Sequence, residues 1–174
     1  MAVEKLLDDG KQQFLELIQS VREDEWNFRV GQIRHTIGEE AEHIALAEND
    51  LQKQVKQALQ KGPRPSMANP LKGKEDVLKK FFAENTAEAF RPKQTLINVA
   101  EILEYYTKAN RSLMRLLTES EGLSEAVLKH PSLKIGDLTG VQWFYYIAYH
   151  RLRHINQIKA IMAHEDFPRR VRPA

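Results

Sequence analysis

The sequence predicts an all-α protein, a four-helix bundle with a long crossover between its second and third long helices. Four long segments repeat apolar residues at helical spacings, and no segment keeps the strict alternation of a half-buried strand. The chain has 174 residues, 42% of them hydrophobic, which is enough to bury one core. We therefore expect residues 1–174 to form a single domain.

The first predicted helix covers residues 3–21. Its apolar residues recur at spacings typical of a helix with one buried stripe. They are Leu7, Phe14, Ile18 and Val21. The acidic run at residues 23–25 and Trp26 are expected to lead into a loop.

The second predicted helix covers residues 37–60 and has a clear start signal. Thr36 is followed three residues later by Glu39, which is the pattern of a capping box. The helix is expected to end before the stretch KGPRPSMANPLKG, because its prolines and glycines do not continue a helix. On this crossover a shorter amphipathic helix is expected at residues 74–90, and its Phe81 and Phe82 could cover either the core or a partner chain.

The third predicted long helix covers residues 94–119. Its stripe has nearly heptad spacing with one polar member, Asn110, which is expected to face the core. The stripe is Leu96, Val99, Leu103, Tyr106, Asn110, Leu113 and Leu117. Residues 121–138 are expected to be irregular, since His130 precedes a proline and is biased away from helix.

The last predicted helix covers residues 140–163, after a second capping box formed by Thr139 and Gln142. Its buried stripe contains two histidines. The stripe is Trp143, Ile147, His150, His154, Gln157 or Ile158, and Ile161. Four-helix bundles build sites from side chains that face one another in the core, so this stripe is where a site is expected.

The segment YHRLRH suggests a metal ligand pair. His150 and His154 are four residues apart, so a helix places them on one face, and burying two imidazoles without partners would be costly. Arg151 and Arg153 are expected to point away from this stripe. Catalytic zinc-type sites use three protein ligands, and His43 on the second helix is the best third ligand.

The alternatives remain open at this point. Histidines on an apolar face can be ordinary hydrogen-bonded core residues. The other three histidines, His35, His130 and His164, are interpreted as surface or loop residues. Glu40 and His43 form one Glu-x-x-His motif of the di-metal type, but residues 140–164 contain no carboxylate, so one metal with three histidines is favoured.

Five side chains are candidates for a pocket or for support of the ligands. They are Tyr106, Asn110, Trp143, Tyr146 and Gln157. Each also has a structural interpretation: the aromatic residues as core, Asn110 as a residue that sets helix register, and Gln157 as a partner that orients a ligand.

Composition limits the function classes. The chain contains no cysteine, so disulfides, thiolate ligands and a cysteine nucleophile are excluded, and thiol chemistry would need an external thiol. The net charge is +2 (26 − 24), which gives no reason to expect nucleic acid as a partner. The three arginines of the tail PRRVRP could contact a nucleic acid or an acidic partner, but a short basic terminus is more often solvated, and that interpretation is favoured. With no secretory pattern and no apolar run of membrane length, we expect a cytoplasmic protein without a membrane partner.

Two stretches resemble the signature regions of the DinB-like superfamily of metal-binding four-helix bundles. They are HTIGEEAEHIALAE, residues 35–48, and HPSLKIGDLTGVQWFYYIAYHRLRHINQI, residues 130–158. The second is more specific, because it combines His-Pro, Leu-Thr, an aromatic cluster and His-x-x-x-His-x-x-Gln-Ile in one order. The resemblance places the family's ligands on His43, His150 and His154.

The resemblance also implies an up-down-down-up topology, a divalent ion such as zinc or nickel, and a homodimer. It places the chain alongside thiol S-transferases that use bacillithiol or mycothiol, and it does not imply DNA binding. We therefore expect a metal-dependent hydrolase or thiol S-transferase that acts on a small molecule. The alternative is a non-catalytic binding or stress-response module whose metal is structural or absent.

Overall fold

The computed structural model describes residues 2–31, 33, 35–61, 74–84, 92–96, 98–124, 127–128 and 137–168. These residues form six helices and one short antiparallel ribbon. The helices are α1 (Ala2–Gln19), α2 (Glu23–Trp26), α3 (Ile37–Gln60), α4 (Lys74–Glu84), α5 (Val99–Glu119) and α6 (Gly140–Ala163), and the strands are β1 (Val127–Leu128) and β2 (Leu138–Thr139). Val127 lies opposite Thr139 in the ribbon.

The long helices α1, α3, α5 and α6 form an up-down-down-up bundle, and two core clusters show their directions. Each cluster lies at one end of the bundle. The cluster at the end that we call the first contains Phe14 and Ile18 of α1, Ile37 and Ile44 of α3, Ile102 of α5, and Ile158 and Ile161 of α6. The other, at the second end, contains Val3 and Leu7, Val55, Leu113 and Leu117, and Trp143 and Phe144. Thus α1 and α6 run from the second end to the first, and α3 and α5 run the opposite way. The predicted all-α bundle and its topology are confirmed.

Both capping boxes form as the sequence predicts. Thr36 Oγ1 accepts from the backbone N–H of Glu39 at 3.2 Å, and the Glu39 carboxylate accepts from the N–H of Thr36 at 2.8 Å. The pair Thr139 and Gln142 makes the same reciprocal bonds at 3.2 and 3.1 Å. These bonds satisfy N–H groups that have no intrahelical partner, so they fix where α3 and α6 begin.

Three elements differ from the prediction. Helix α2 covers the acidic run and Trp26, which the sequence predicts only to lead into a loop. The Trp26 indole packs so closely on Gly38 that an added Cβ would lie 2.6 Å from Nε1. A two-stranded ribbon forms in the segment expected to be irregular. Helix α5 begins at Val99 rather than residue 94, with Asn98 as its N-cap. The predicted end of the crossover helix, residues 85–90, lies outside the described residues.

Helix α6 occupies the centre of the structure, because it packs against α1, α3 and α4. Its side chains are buried on most of its circumference. The prediction that Arg151 and Arg153 point to solvent is therefore wrong: Arg151 is fully buried, and Arg153 is 8% exposed with its guanidinium 5.8 Å from the Phe82 ring centre. A helix that is covered on three sides leaves no solvent face for these arginines.

Arg151 is the centre of a buried network that we call the arginine cluster, which also contains Glu48 and Asn110. Arg151 Nε and Nη2 donate to the two carboxylate oxygens of Glu48 at 2.6 and 2.8 Å, and Nη2 also donates to Asn110 Oδ1 at 3.1 Å. Nη1 donates to the carbonyl oxygen of Leu7. Burial alone would lower the pKa of Arg151, but the Glu48 carboxylate more than offsets this and holds the pKa above its usual value. The cluster therefore ties α6 to α1, α3 and α5.

No helix in the described ranges has both the length and the apolar character needed to cross a membrane.

Candidate metal centre

Three histidines from two facing helices converge in the bundle. His43 lies on α3, and His150 and His154 lie on α6; one nitrogen of each lies within 4.8 Å of the others. His43 Nε2 and His150 Nε2 are 3.3 Å apart, and the His154 ring centre is 4.5 Å from both other ring centres. We call these residues the histidine triad. It is the one group in the described part of the chain whose side chains converge closely enough to hold a metal ion.

The donor set of the triad fits a divalent metal of the zinc type. Two ligands about 2.0–2.1 Å from a tetrahedral zinc ion lie roughly 3.3 Å apart, which is the separation of the His43 and His150 nitrogens. Imidazole nitrogen suits zinc, copper, iron and nickel, whereas magnesium and calcium prefer oxygen ligands. His150 and His154 are buried, while His43 is only half-buried. The triad is thus enclosed on the α6 side and more accessible on the α3 side.

A buried carboxylate contacts the triad from outside. Glu40 Oε2 lies 2.6 Å from Nδ1 of His154, and its Oε1 lies 3.0 Å from Nδ1 of His35. The sequence predicts a surface or loop position for His35. It does lie in the loop between α2 and α3, but it is only 6% exposed, so a surface position is wrong. Glu40 is the glutamate of the Glu-x-x-His motif that a di-metal site would require, and its carboxylate contacts two imidazoles.

The remaining two histidines lie apart from the triad. His164 is half-buried at the C-terminal end of α6, 3.6 Å from Asp166, in agreement with its assignment outside the site. His130 lies outside the described residues.

Aromatic side chains cover His150. Tyr146, one turn earlier on α6, stacks on it with ring centres 6.2 Å apart and planes at 15°. Phe82 of α4 lies at 6.0 Å in an edge-to-face arrangement, and Trp143 lies 5.4 Å from Tyr146. Of the predicted pocket residues, Tyr146 thus contacts the triad directly, whereas Trp143 contacts Tyr146. Sequence reasoning missed Phe82 as a neighbour because the register of α4 against α6 is a tertiary property.

The other predicted pocket residues lie elsewhere or less directly. Asn110 accepts a hydrogen bond from Arg151, and the Tyr106 ring lies 5.4 Å from that guanidinium, so both belong to the surroundings of the arginine cluster. Burial, with an added contribution from Glu48, raises the pKa of Tyr106 well above its usual value. Gln157 is half-buried on α6, three residues after His154.

A groove of about 230 Å³ lies beside the exposed side of His43; we call it the His43 groove. Leu46, Ala47 and Pro92 supply apolar surface, and Lys93 and Asp50 lie at its exposed edge with Nζ and Oδ2 3.8 Å apart. A larger cavity of about 370 Å³ next to Trp26 contains none of the three histidines, so the smaller groove is the one relevant to the triad.

The wall of the His43 groove is held by Glu42, the residue before His43. Its carboxylate accepts backbone N–H groups from residues 93–96 at 2.6–3.1 Å and the Thr95 hydroxyl at 3.0 Å. Gln94 takes a left-handed conformation (φ 55°), which helps to turn successive N–H groups toward one acceptor. Burial would raise the pKa of Glu42, but the hydrogen bonds from Gln94, Thr95 and Leu96 outweigh it and the pKa is lowered.

The fold and the triad together define an all-helical bundle with a histidine site that could bind metal between two facing helices. A family model described as the DinB superfamily matches residues 6–158, and the chain belongs to that superfamily. The family that the sequence resembles is therefore confirmed.

A solved structure supports the fold assignment. The chain is similar to TT2238, a four-helix bundle protein known from a crystal structure, with a TM-score of 0.61 and 17% sequence identity over 91% of this chain and 97% of that one. At this identity the likeness concerns the fold alone. No curated protein matches the chain significantly.

Proposed function

We propose that this chain is a metal-dependent enzyme that binds a divalent ion at His43, His150 and His154 and acts on a small molecule. The observation that carries the proposal is the convergence of three ligand atoms within 4.8 Å, on residues from two helices of the bundle. Membership of the DinB superfamily supports it, since DinB-like proteins bind metal.

Zinc or nickel is the proposed ion, because both accept imidazole nitrogen. A divalent ion held by three neutral imidazoles keeps its charge and, when bound, would lower the pKa of a water or thiol that it binds. The chain's own residues supply the surroundings: the rings of Tyr146 and Phe82 keep water from His150, and the His43 groove gives a small molecule access.

Two reactions fit this site. The first is hydrolysis, with water as the nucleophile. The second is S-transfer from a low-molecular-weight thiol, which must come from outside because the chain has no cysteine. The His43 groove, at about 230 Å³, is smaller than the roughly 300–1,000 Å³ typical of pockets for drug-sized ligands, so it supports a small substrate group in either case.

The alternative function is a non-catalytic module with a structural metal. The complete burial of His154 and the near-complete burial of His150 favour this alternative, since both side chains are part of the packed interior. A set of three protein ligands would leave a coordination position open, as in catalytic sites, and the half-buried position of His43 gives access to it, so these features favour an enzyme. The two functions differ in what metal removal does to folding, because the binding energy of a structural metal is folding energy.

An experiment on the full-length chain separates these functions. Zinc-loaded and nickel-loaded protein would be assayed for ester and amide hydrolysis, and for conjugation of low-molecular-weight thiols to small electrophiles. We expect turnover that requires metal and is lost in His43→Ala but kept in His164→Ala, the matched histidine outside the triad. A chain that unfolds on metal removal and turns over none of these substrates would support the structural alternative instead.

A homodimer is the proposed assembly. Among the described residues Val77 of α4 is the one large apolar side chain that is strongly exposed, whereas Phe82 packs in the core. Light scattering of the full-length chain at several concentrations tests this proposal, and a monomer mass throughout would contradict it.

A further inference from the structure

Glu40 is a buried carboxylate placed between two imidazoles. It is 3% exposed, and its two oxygens lie 2.6 Å from His154 Nδ1 and 3.0 Å from His35 Nδ1. A carboxylate oxygen accepts hydrogen bonds, so the short contact to His154 places the ring proton on Nδ1. His154 is fully buried, so its ring cannot turn outward to water.

This contact decides which nitrogen of His154 can bind a metal. In a neutral imidazole one nitrogen carries the proton and the other carries the lone pair, and the partner of the first selects the tautomer. With Nδ1–H directed at Glu40, the lone pair is on Nε2, at the opposite edge of the ring. His43 and His150 approach each other through the same atom type, Nε2. All three rings can thus present Nε2 to one ion.

We propose that Glu40 is a positioning residue of the metal centre, which fixes the tautomer and orientation of His154, and that His35 holds Glu40 in place by occupying its second oxygen. The proposal rests on the proposed metal site. It assigns a role to two side chains that do not themselves touch the metal. Outer partners of this kind increase ligand basicity, and their loss costs about 10- to 100-fold in metal affinity.

The test compares zinc affinities of full-length variants by competition with a chelating dye. Glu40→Ala removes both the charge and the acceptor. Glu40→Gln keeps the shape and an amide oxygen that can still accept from His154. It removes the charge, and its NH2 group can donate to His35 only if Nδ1 of His35 gives up its proton, so the bond to His35 reverses direction. Glu25→Gln is the matched control, since Glu25 is also buried and its carboxylate caps α2 at the N–H of Arg22, away from the triad.

We expect zinc affinity to fall by about 100-fold in Glu40→Ala and about tenfold in Glu40→Gln, and to stay within about twofold in Glu25→Gln. His35→Ala leaves the bond between Glu40 and His154 in place, so its loss should be smaller than that of Glu40→Ala. Cobalt provides a readout that a purely structural role would not change: its visible absorption spectrum should shift in Glu40→Ala at saturating metal. Thermal melting of the metal-free variants monitors folding separately.

Zinc affinity in Glu40→Ala equal to that of the wild type would overturn the proposal. If Glu40→Ala does not fold, Glu40→Leu, which fills the space but offers no acceptor to His154, makes the same comparison. A larger loss in His35→Ala than in Glu40→Ala would also contradict it. Failure of the wild-type chain to bind zinc or nickel would instead overturn the metal site itself, so the two failures are distinguishable.

Discussion

Helix α6 carries two buried polar regions within a single turn, and they are built in opposite ways. In the arginine cluster, Arg151 donates hydrogen bonds to Glu48, Asn110 and the Leu7 carbonyl, all acceptors within the chain. In the histidine triad, side chains of one type approach one another, with two Nε2 atoms 3.3 Å apart. The first region pairs donors with acceptors, whereas the second brings like atoms together.

This difference separates a structural role from a binding role. A guanidinium bound to a carboxylate and two further oxygens gains nothing from an external ion. Two neutral imidazole nitrogens share at most one hydrogen bond, but a divalent cation accepts a lone pair from all three rings. We therefore interpret the arginine cluster as a stabilising element of the bundle and the triad as the group that could hold a metal ion.

The largest expected effect is on stability, from Arg151→Ala. Removing one partner of a buried ion pair leaves Glu48 charged and uncompensated, which costs about 3–5 kcal/mol. Urea unfolding of the metal-free chain measures the loss. The double variant Arg151→Met with Glu48→Leu should recover most of it, because it removes both charges and keeps the volume. If Arg151→Ala were as stable as the wild type, the arginine cluster would not have the stabilising role that we assign to it.

For His43→Ala we expect a large loss of zinc affinity and a small loss of stability, the reverse of what is expected for Arg151→Ala. Because it deletes a ligand, the loss of zinc affinity should exceed the roughly 10- to 100-fold that outer partners cost. Its metal-free stability should change by only about 1 kcal/mol, since the side chain is half-buried. Dye competition and urea unfolding give the two values. A variant that loses stability but keeps its zinc affinity would assign His43 to the fold instead.

A smaller effect is expected at Gly10, where α1 passes close to the arginine cluster. An alanine Cβ there would lie 3.3 Å from Cδ of Arg151, a side chain whose hydrogen bonds prevent it from moving aside. Overpacking of about 1–3 kcal/mol should outweigh the gain of about 1 kcal/mol in helix propensity. We expect Gly10→Ala to lower the free energy of unfolding slightly while zinc affinity stays unchanged. If Gly10→Ala were more stable than the wild type, the Arg151 side chain would be able to move aside despite its hydrogen bonds.

The smallest expected effect is on the pH dependence of stability, through Glu42, the residue before His43. Its pKa is lowered in the fold from the usual 4.5, so its ionised form stabilises the native state. This contribution is complete above pH 4.5 and is lost as the pH falls through the lowered value. Glu42→Gln should therefore reduce the slope of stability against pH below 4.5, measured by urea unfolding at several pH values. Identical slopes in variant and wild type would contradict the lowered pKa.

Much of the fold followed from periodicity and caps. Thr36 and Thr139 mark where α3 and α6 begin because their capping boxes are local, and a three-residue spacing is visible in sequence. The start of α5 was not visible in the same way. It depends on Glu42, more than fifty residues earlier, whose carboxylate takes the N–H groups of residues 93–96 and keeps them out of the helix.

The triad was predictable and the arginine cluster was missed, although a signal for it existed. Glu48 lies four residues after Ile44 on the apolar stripe of α3, where a carboxylate requires a buried partner. Helix α6 is apolar or aromatic around most of its circumference, which is typical of a helix without a solvent face. Together these features indicate a buried cation on α6. The contact of Glu40 with His154 and His35 had no such signal, because it depends on how two helices and a loop meet.

The most direct measurement is the metal content of the full-length chain, purified without an affinity tag that binds metal. Elemental analysis of the wild type should find about one zinc or nickel ion per chain, and the double variant His150→Ala with His154→Ala should contain none while the His164→Ala control keeps it. A wild-type chain that contains no divalent ion and takes up neither zinc nor nickel in titration would contradict the assignment of the histidine triad to metal binding.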